Sequence, residues 1–454
     1  MTRGPIFKRL VVFAVPLLLG NLLQQTYNAF DAIVVGNFVS IDALAAVGAS
    51  GPLITMLVSF FMGMSNGSGV LISRFYGARN AKELRNAVHT AITLAFLIGA
   101  ALSALGYALS PALLRLIRTP EEVFPDALTY LRIYFTGLIG VTVYNMGAAV
   151  LTATGDSKRP LFFLALSAAL NIAMNLLFVL VFNLGVAGVA YSTIISQALC
   201  AALVIALLCR QPTVIRVDLK KLKIHGYILK EIVRLGLPGG IQGMIVSASN
   251  VGVQSYVNAL GPAAIAGYGA GSRVDGYIFM PIQSMVLATS TFVGQNLGAK
   301  KVKRAREGVR VSMITSLGIT VFMSALLFFF GKYVLRAFTP DVEVIAYGLE
   351  FIRIFIPCYF MLCFAQILPG AMRGAGDVKV PTLTSIGAFV VMRQIYLFLV
   401  TKVRHTVFTV ALGYPITWFT AAAIIIIHYL KSDWSAFEGE FEESRAFEEF
   451  LDVK

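Results

Sequence analysis

The sequence predicts an all-α integral membrane protein of about twelve transmembrane helices, arranged as two homologous six-helix lobes. Three observations carry that expectation: long, uniformly apolar runs, charges confined to the short gaps between them, and a first half that recurs in the second. Of the 454 residues, 57% are hydrophobic and 13% charged, against about 25% charged in soluble domains. Lipid offers backbone groups no partners, so spanning segments must be helices or a closed barrel. Barrel strands alternate polar and apolar over about ten residues, whereas these runs stay apolar for about twenty, the length of a spanning helix.

In chain order, the apolar runs lie near residues 10–35, 50–72, 88–109, 126–150, 160–182 and 186–209, then near 232–257, 271–293, 309–331, 345–369, 381–401 and 406–430. This divides the chain into an N-lobe (1–210), a basic cytoplasmic linker (211–231), a C-lobe (232–431) and an acidic cytoplasmic tail (432–454). The first run follows Arg3, Lys8 and Arg9 and continues past Asp31 with no small-residue cleavage pattern. It therefore reads as a permanent span, not a signal peptide. In the tail, Glu438, Glu440, Glu442, Glu443, Glu448 and Glu449 surround Phe437, Phe441, Phe447 and Phe450. That pattern fits either a short amphipathic helix or a solvated, disordered segment.

The net charge of +14 does not point to nucleic acid, because the basic residues sit between apolar runs. With both termini inside, 27 of the 37 Lys and Arg fall on cytoplasmic segments, 9 on the opposite side, and Arg393 inside a span. That threefold bias sets the orientation of a bacterial inner-membrane protein. Cys200, Cys209, Cys358 and Cys363 lie in or at the ends of apolar runs with no zinc-type spacing, and read as packing residues.

The repeat has a constant offset of 221 residues. It maps Ala153-Thr154-Gly155-Asp156 with Pro160 onto Gly374-Ala375-Gly376-Asp377 with Pro381, and Gly77-Ala78 onto Gly298-Ala299. The same offset relates Lys82 to Lys303, Arg85 to Arg306, Leu131-Arg132-Ile133 to Ile352-Arg353-Ile354, and Gly48 to Gly269. Six spans per repeat leave both halves in the same orientation, related by an axis along the membrane normal with a cavity between them. Gly155 and Gly376 suit left-handed helix ends, and Pro160 and Pro381 the first turn of the next helix. A phosphate-cradling loop is excluded, because no strand precedes and no Gly-Lys-Ser/Thr follows.

The duplicated Gly-x-Gly-Asp-type loop, the first-span segment Pro16…Gln24-Gln25-Thr26-Tyr27-Asn28-Ala29-Phe30-Asp31, and Ser272-Arg273-Val274-Asp275 with Pro281 resemble the multidrug and toxic compound extrusion (MATE) family. The chain looks closest to the family's bacterial DNA-damage-inducible (DinF-type) branch, over nearly its whole length. The resemblance implies a V-shaped protein of two lobes around a central cavity. It also implies exchange of Na⁺ or H⁺ for cationic or amphiphilic drugs.

Asp31 is the candidate coupling residue. It follows Pro16 by fifteen residues on one span, and intramembrane charge is costly enough that it usually faces a cavity and marks a pathway. The bland reading is a carboxylate in a loop just outside the span. The repeat equivalent of Asp31 is Gly252, so the acid belongs to one half only. Burial disfavours the charged form, which lets occupancy by H⁺ or Na⁺ follow the ion gradient. Pro16 lacks an N–H and can let the helix bend as that charge changes.

Asn171 and Asn175 share a helix face, and Thr193 follows in the next span. The resemblance assigns these positions to an ion site joining the first-span Asp; inter-helix hydrogen bonding is the structural alternative. The family often has Asp where Asn175 stands, so a carboxylate is missing here and the coupling ion stays open. Gln24, Tyr27 and Asp31 fall on one face of the first helix. With Asn145, Gln24 and Tyr27 are candidates for substrate contact, with interior packing as the alternative.

Arg132 and Arg353 occupy equivalent places near the outer ends of their spans and suit snorkelling. Asp275 is expected to pair with Arg273. Arg393 either faces the cavity, where it would disfavour cations, or pairs with an unidentified acid. His89 and His428 carry no ligand pattern. No nucleotide-binding motif and no catalytic constellation is present, so the expectation is a non-enzyme: a monomeric, ion-driven antiporter without cofactor. A flippase for a lipid-linked precursor is the alternative, and would call for a cation-rich cavity.

Overall fold

The computed structural model of the chain describes residues 1–211 and 213–434. These form helices and connecting turns, with no strand among them. The first half comprises α1 (Ile6–Phe38), α2 (Ile41–Gly77), α3 (Ala81–Leu116), α4 (Phe124–Thr136), α5 (Leu138–Ala153), α6 (Lys158–Leu176) and α7 (Gly185–Arg210). The second comprises α8 (Gly226–Asn258), α9 (Pro262–Gly298), α10 (Val302–Arg336), α11 (Val342–Phe355), α12 (Tyr359–Gly374), α13 (Lys379–Ile386), α14 (Arg393–Val403) and α15 (Val407–Lys431). Among the described residues, ten helical stretches are long and apolar enough to cross a membrane, and the bent pair α4–α5 makes an eleventh. α8 has the length, 33 residues, but carries Gln242, Ser247, Ser249, Asn250, Gln254 and Ser255. Counting it gives the expected twelve. The tail from 435 onward lies outside the described residues.

The expected fourth span, 126–150, is broken: α4 and α5 meet at 47°. Gly137 caps α4, donating its amide to Tyr134 O at 3.1 Å, and a Cβ there would run into the Ile194 side chain of α7. The tenth span is interrupted by a 3₁₀ turn, Ile356–Cys358, where Pro357 has no N–H to continue the ladder. Two spans contain π turns, Leu177–Val181 after α6 and Gly387–Met392 before α14.

Local geometry repeats as the sequence does. Gly155 and Gly376 take positive φ, 99° and 78°. The following amides, Asp156 N and Asp377 N, each reach 2.9 Å from a carbonyl in the last turn of the preceding helix, Leu151 O and Met372 O. The offset of 221 also relates Arg79 (φ 55°) to Lys300 (φ 56°), in the two tight turns that follow Gly77 and Gly298.

The chain divides into two compact units, and both crossings fall inside helices. Among the described residues, one unit holds Met1–Leu18 and residues 241–434; the other holds Leu19–Gly240. In the first, Leu10 and Phe13 of α1 belong to the same buried core as Ile282, Met285 and Phe292 of α9 and Ile425 of α15. In the second, the linker is pinned to α3. Asp218 N donates to His89 Nε2 (3.2 Å), His225 N to Thr90 Oγ1 (3.2 Å), and Tyr227 OH to Glu83 Oε2 (2.6 Å).

Also in that second unit, α2 and the first half of α8 cross backbone on backbone. A Cβ on Gly63 or Gly67 would fall onto the backbone of Gly240 or Gly236. One on Gly236 would stand 2.9 Å from Met64 Cα, and one on Gly240 2.9 Å from Phe60 O. Small residues let membrane helices approach this closely, with packing rather than solvent exclusion as the gain.

Candidate functional site

α1, α6 and α7 bring one polar cluster together in the second unit. Asp31 is 7% exposed and lies well inside α1. Asn175 Nδ2 donates to Asp31 Oδ1, and Thr193 Oγ1 donates to Asp31 Oδ2 at 3.5 Å. Asn175 is fully buried; its Nδ2 also reaches Asn171 Oδ1 at 3.3 Å, and its Oδ1 accepts from Ser192 Oγ. Asn171 Nδ2 is buried with no partner. The carboxylate thus meets neutral donors only, and no ion pair involving Asp31 exists among the described residues. An unpaired buried charge of this kind pays its desolvation without a counter-ion, so capture of a cation relieves it.

The local sequence explains the placement. Asn171 and Asn175 stack along α6 one turn apart, and Ser192, Thr193, Ser196 and Gln197 line the facing side of α7. The π turn begins two residues after Asn175, and such turns recur where helices are adapted to a site. Ser192 was not among the sequence-derived candidates; its one signal was the run Ser192-Thr193 with Ser196-Gln197.

Tyr27 is buried one turn before Asp31 and accepts from Gln197 Nε2 at 3.3 Å. It sits in a small core with Leu164 and Ala168, lined also by Tyr144. Gln24 is exposed at the margin of this face, with a side-chain hydrogen bond to Tyr27. Asn145 is half-buried on α5, its Nδ2 donating back to Val141 O at 2.8 Å, so it is not drawn into the cluster. Pro16 is buried in α1, two residues before the chain leaves the first unit.

The C-terminal polar residues differ from expectation. Asp275 does not pair with Arg273: residues two apart on a helix point to opposite sides. Arg273 is exposed, and Asp275 accepts from the Tyr359 hydroxyl at 2.5 Å. Arg393 finds neutral partners rather than an acid, Asn250 Oδ1 and Thr417 Oγ1, each at 3.2 Å. Arg132 lies over the Tyr107 ring at 5.0 Å, and His428 pairs with Asp377 at 2.6 Å. No group of three or more His, Cys, Asp or Glu able to hold a metal exists among the described residues.

A family model, MatE, matches the chain twice, over residues 16–177 and 238–399. The chain belongs to the MATE family. Each match covers one copy of the repeat, so the duplication inferred from the 221-residue offset is a property of this MATE chain. Among curated relatives, the probable multidrug resistance protein YpnP of Bacillus subtilis is 30% identical over 96% of this chain and 97% of its own length. The probable multidrug resistance protein NorM of Thermotoga maritima is 28% identical over 83% and 82%. A solved structure described as the outward-facing conformation of a multidrug resistance MATE family transporter superposes with a TM-score of 0.89, at 22% identity, over 96% of this chain and 98% of that one. The MATE fold and a multi-pass membrane location follow.

Proposed function

We propose that this MATE-family chain is a secondary active multidrug exporter, exchanging H⁺ or Na⁺ for cationic or amphiphilic small molecules by alternating access, with Asp31 as the coupling residue. The observation that carries the reading is a buried carboxylate in a membrane helix, held by Asn175 and Thr193 and lacking any counter-cation. Such a group takes up a cation when its chamber opens to the side where that cation is abundant. Loading the site changes the local charge and, through α1 and Pro16, the shape of the helix that runs through both units. Asn171 and Thr193 complete the ion site, and Tyr27, Gln24 and Asn145 serve substrate contact. The protein acts as a monomer without cofactor, in the inner membrane of a bacterium with both termini cytoplasmic. The excess of Lys and Arg on the assigned inner segments supports that orientation.

The deciding experiment is efflux of a fluorescent cationic dye from proteoliposomes, with H⁺ and Na⁺ gradients imposed separately. Gradient-driven dye movement is expected, and the effective gradient names the ion. Dye movement indifferent to both gradients would refute coupled export, and transfer of a lipid-linked sugar in the same vesicles would favour a flippase.

A companion prediction concerns Asn175→Asp, which restores the acid common elsewhere in the family. Two carboxylates in one site cannot both stay charged and empty, so the variant should become more dependent on Na⁺. Measured as the Na⁺ concentration for half-maximal efflux, the value should fall. An unchanged or higher value would mean that residue 175 does not touch the ion.

A further inference from the structure

The offset of 221 carries the Asp31 site onto a second cluster whose charge is reversed. Thr193, Ser196 and Gln197 of α7 correspond to Tyr414, Thr417 and Trp418 of α15, and Asp31 of α1 corresponds to Gly252 of α8. The α6 asparagines, Asn171 and Asn175, correspond to Met392 and Tyr396, which flank Arg393. The same corner of the fold therefore holds an acid in one unit and a guanidinium in the other.

Arg393 is 4% exposed. One terminal nitrogen donates to Asn250 Oδ1 and the other to Thr417 Oγ1, each at 3.2 Å, and the guanidinium carbon stands 4.3 Å from the centre of the Tyr414 ring. Its Nε is buried with no partner. Asp275 is a neighbouring carboxylate, but among the described residues the two do not form an ion pair. Asp275 is instead taken up by Tyr359. Two neutral acceptors and a ring face leave the Nε nitrogen without a partner and the positive charge without a counter-ion, which is expensive in a low-dielectric setting. Asn250, the partner on α8, is exposed, so the cluster lies at the edge of its unit. Behind the half-buried Tyr414 ring stand core rings: Tyr359 stacks on Trp418 with centroids 5.5 Å apart, and the Phe355 centroid lies 5.1 Å from that of Tyr414. Guanidinium forks favour carboxylate and phosphate oxygens, and ring-lined walls favour a planar apolar body.

We propose that the C-terminal unit binds the anionic group, carboxylate or phosphate, of a ring-bearing amphiphile, with Arg393 as the residue that holds it. The proposal rests on the transporter reading above and adds a substrate feature: an oxyanion recognised far in sequence from the cation-responsive Asp31. The ligand's oxygens accept, in the guanidinium plane, from the unpaired Nε–H and from a remaining N–H of a terminal nitrogen. Asp275 then acts as the repelling neighbour that limits affinity.

The test is an equilibrium titration without any gradient, so failure of Asp31-coupled export leaves its outcome untouched. The chain has two tryptophans, Trp418 and Trp434, so Trp418 fluorescence in a Trp434→Phe background reports the site. The probes are 1-naphthaleneacetate and the matching naphthylmethyl trimethylammonium ion, added to the purified full chain in lipid nanodiscs. Saturable quenching by the carboxylate and none by the ammonium ion is expected. Arg393→Gln should weaken carboxylate binding by about tenfold or more, the loss of a charge-assisted bond. Asp275→Asn should tighten it, a change that a merely structural role for the pair would not produce. Should Arg393→Gln fail to fold, Arg393→Lys keeps the charge but loses the planar fork, and a severalfold weaker affinity is expected. Carboxylate affinity unchanged in the folded Arg393 variant, equal quenching by both probes, or no saturable response in the parent overturns the proposal.

Discussion

Asp31→Asn should reduce dye export to the level of empty vesicles while leaving the protein inserted and folded. The substitution is nearly isosteric; its amide oxygen can still accept from Asn175 Nδ2 while its NH2 faces the Thr193 hydroxyl, which can accept because it donates to Val189 O, so the packing of α1 against α6 and α7 is kept. What disappears is the charge in this cluster that a cation can neutralise. Because that charge is buried among neutral partners, removing it also removes a desolvation cost, and the melting temperature should equal or exceed that of the parent. The two readouts therefore move in opposite senses, which a folding defect cannot imitate. Gradient-driven export by a stable Asp31→Asn protein would end the case for Asp31 as the coupling residue.

Gly63→Val and Gly240→Val should each cripple transport for a different reason. The glycines of α2 and α8 meet with no room for a Cβ, and two backbones cannot move aside as a side chain does. Overpacking of this kind costs about 1–3 kcal/mol, which is roughly five- to 150-fold in the population of the conformation that needs the crossing. Lower melting temperature and slower export are expected together. Gly48→Ala, on the same helix with nothing within 4 Å of its Cβ, is the control and should behave as the parent does. Parental export and melting temperature in Gly63→Val would mean that the crossing can part at no cost.

Much of this fold was readable before any coordinates, because a membrane leaves so few ways to satisfy a backbone. The runs around 50–72 and 309–331 became α2 and α10, longer by several residues at each end; in α10 the added turns, 302–308 and 332–336, carry basic residues. The tight turns at Gly155 and Gly376 were legible for a local reason, a glycine at a left-handed helix end. The break at Gly137 was not legible, since the contact that excludes a Cβ there is with Ile194, contributed by another helix. The π turns beside Asn175 and Arg393 left no compositional mark either. In the Asp31 cluster, the acid could be named from the cost of intramembrane charge; spacing put the two asparagines on one face, and the family resemblance joined them to the acid. Ser192 could not, because a serine in a helix ordinarily bonds its own backbone, as Ser192 also does to Val189 O at 2.8 Å. Arg393 announced itself by its charge, yet its partners lie 143 and 24 residues away on α8 and α15, where no sequence pattern singles them out.

The crossing of the unit boundary inside α1 bears on how the protein is made. Residues up to Leu18 leave the ribosome first, yet the core that receives Leu10 and Phe13 includes Ile282 and Ile425. During synthesis, this half-helix must wait in lipid until nearly the entire polypeptide has been inserted. Severing the chain in the linker would therefore yield two fragments that cannot mature separately, and only their co-synthesis should restore an assembled transporter.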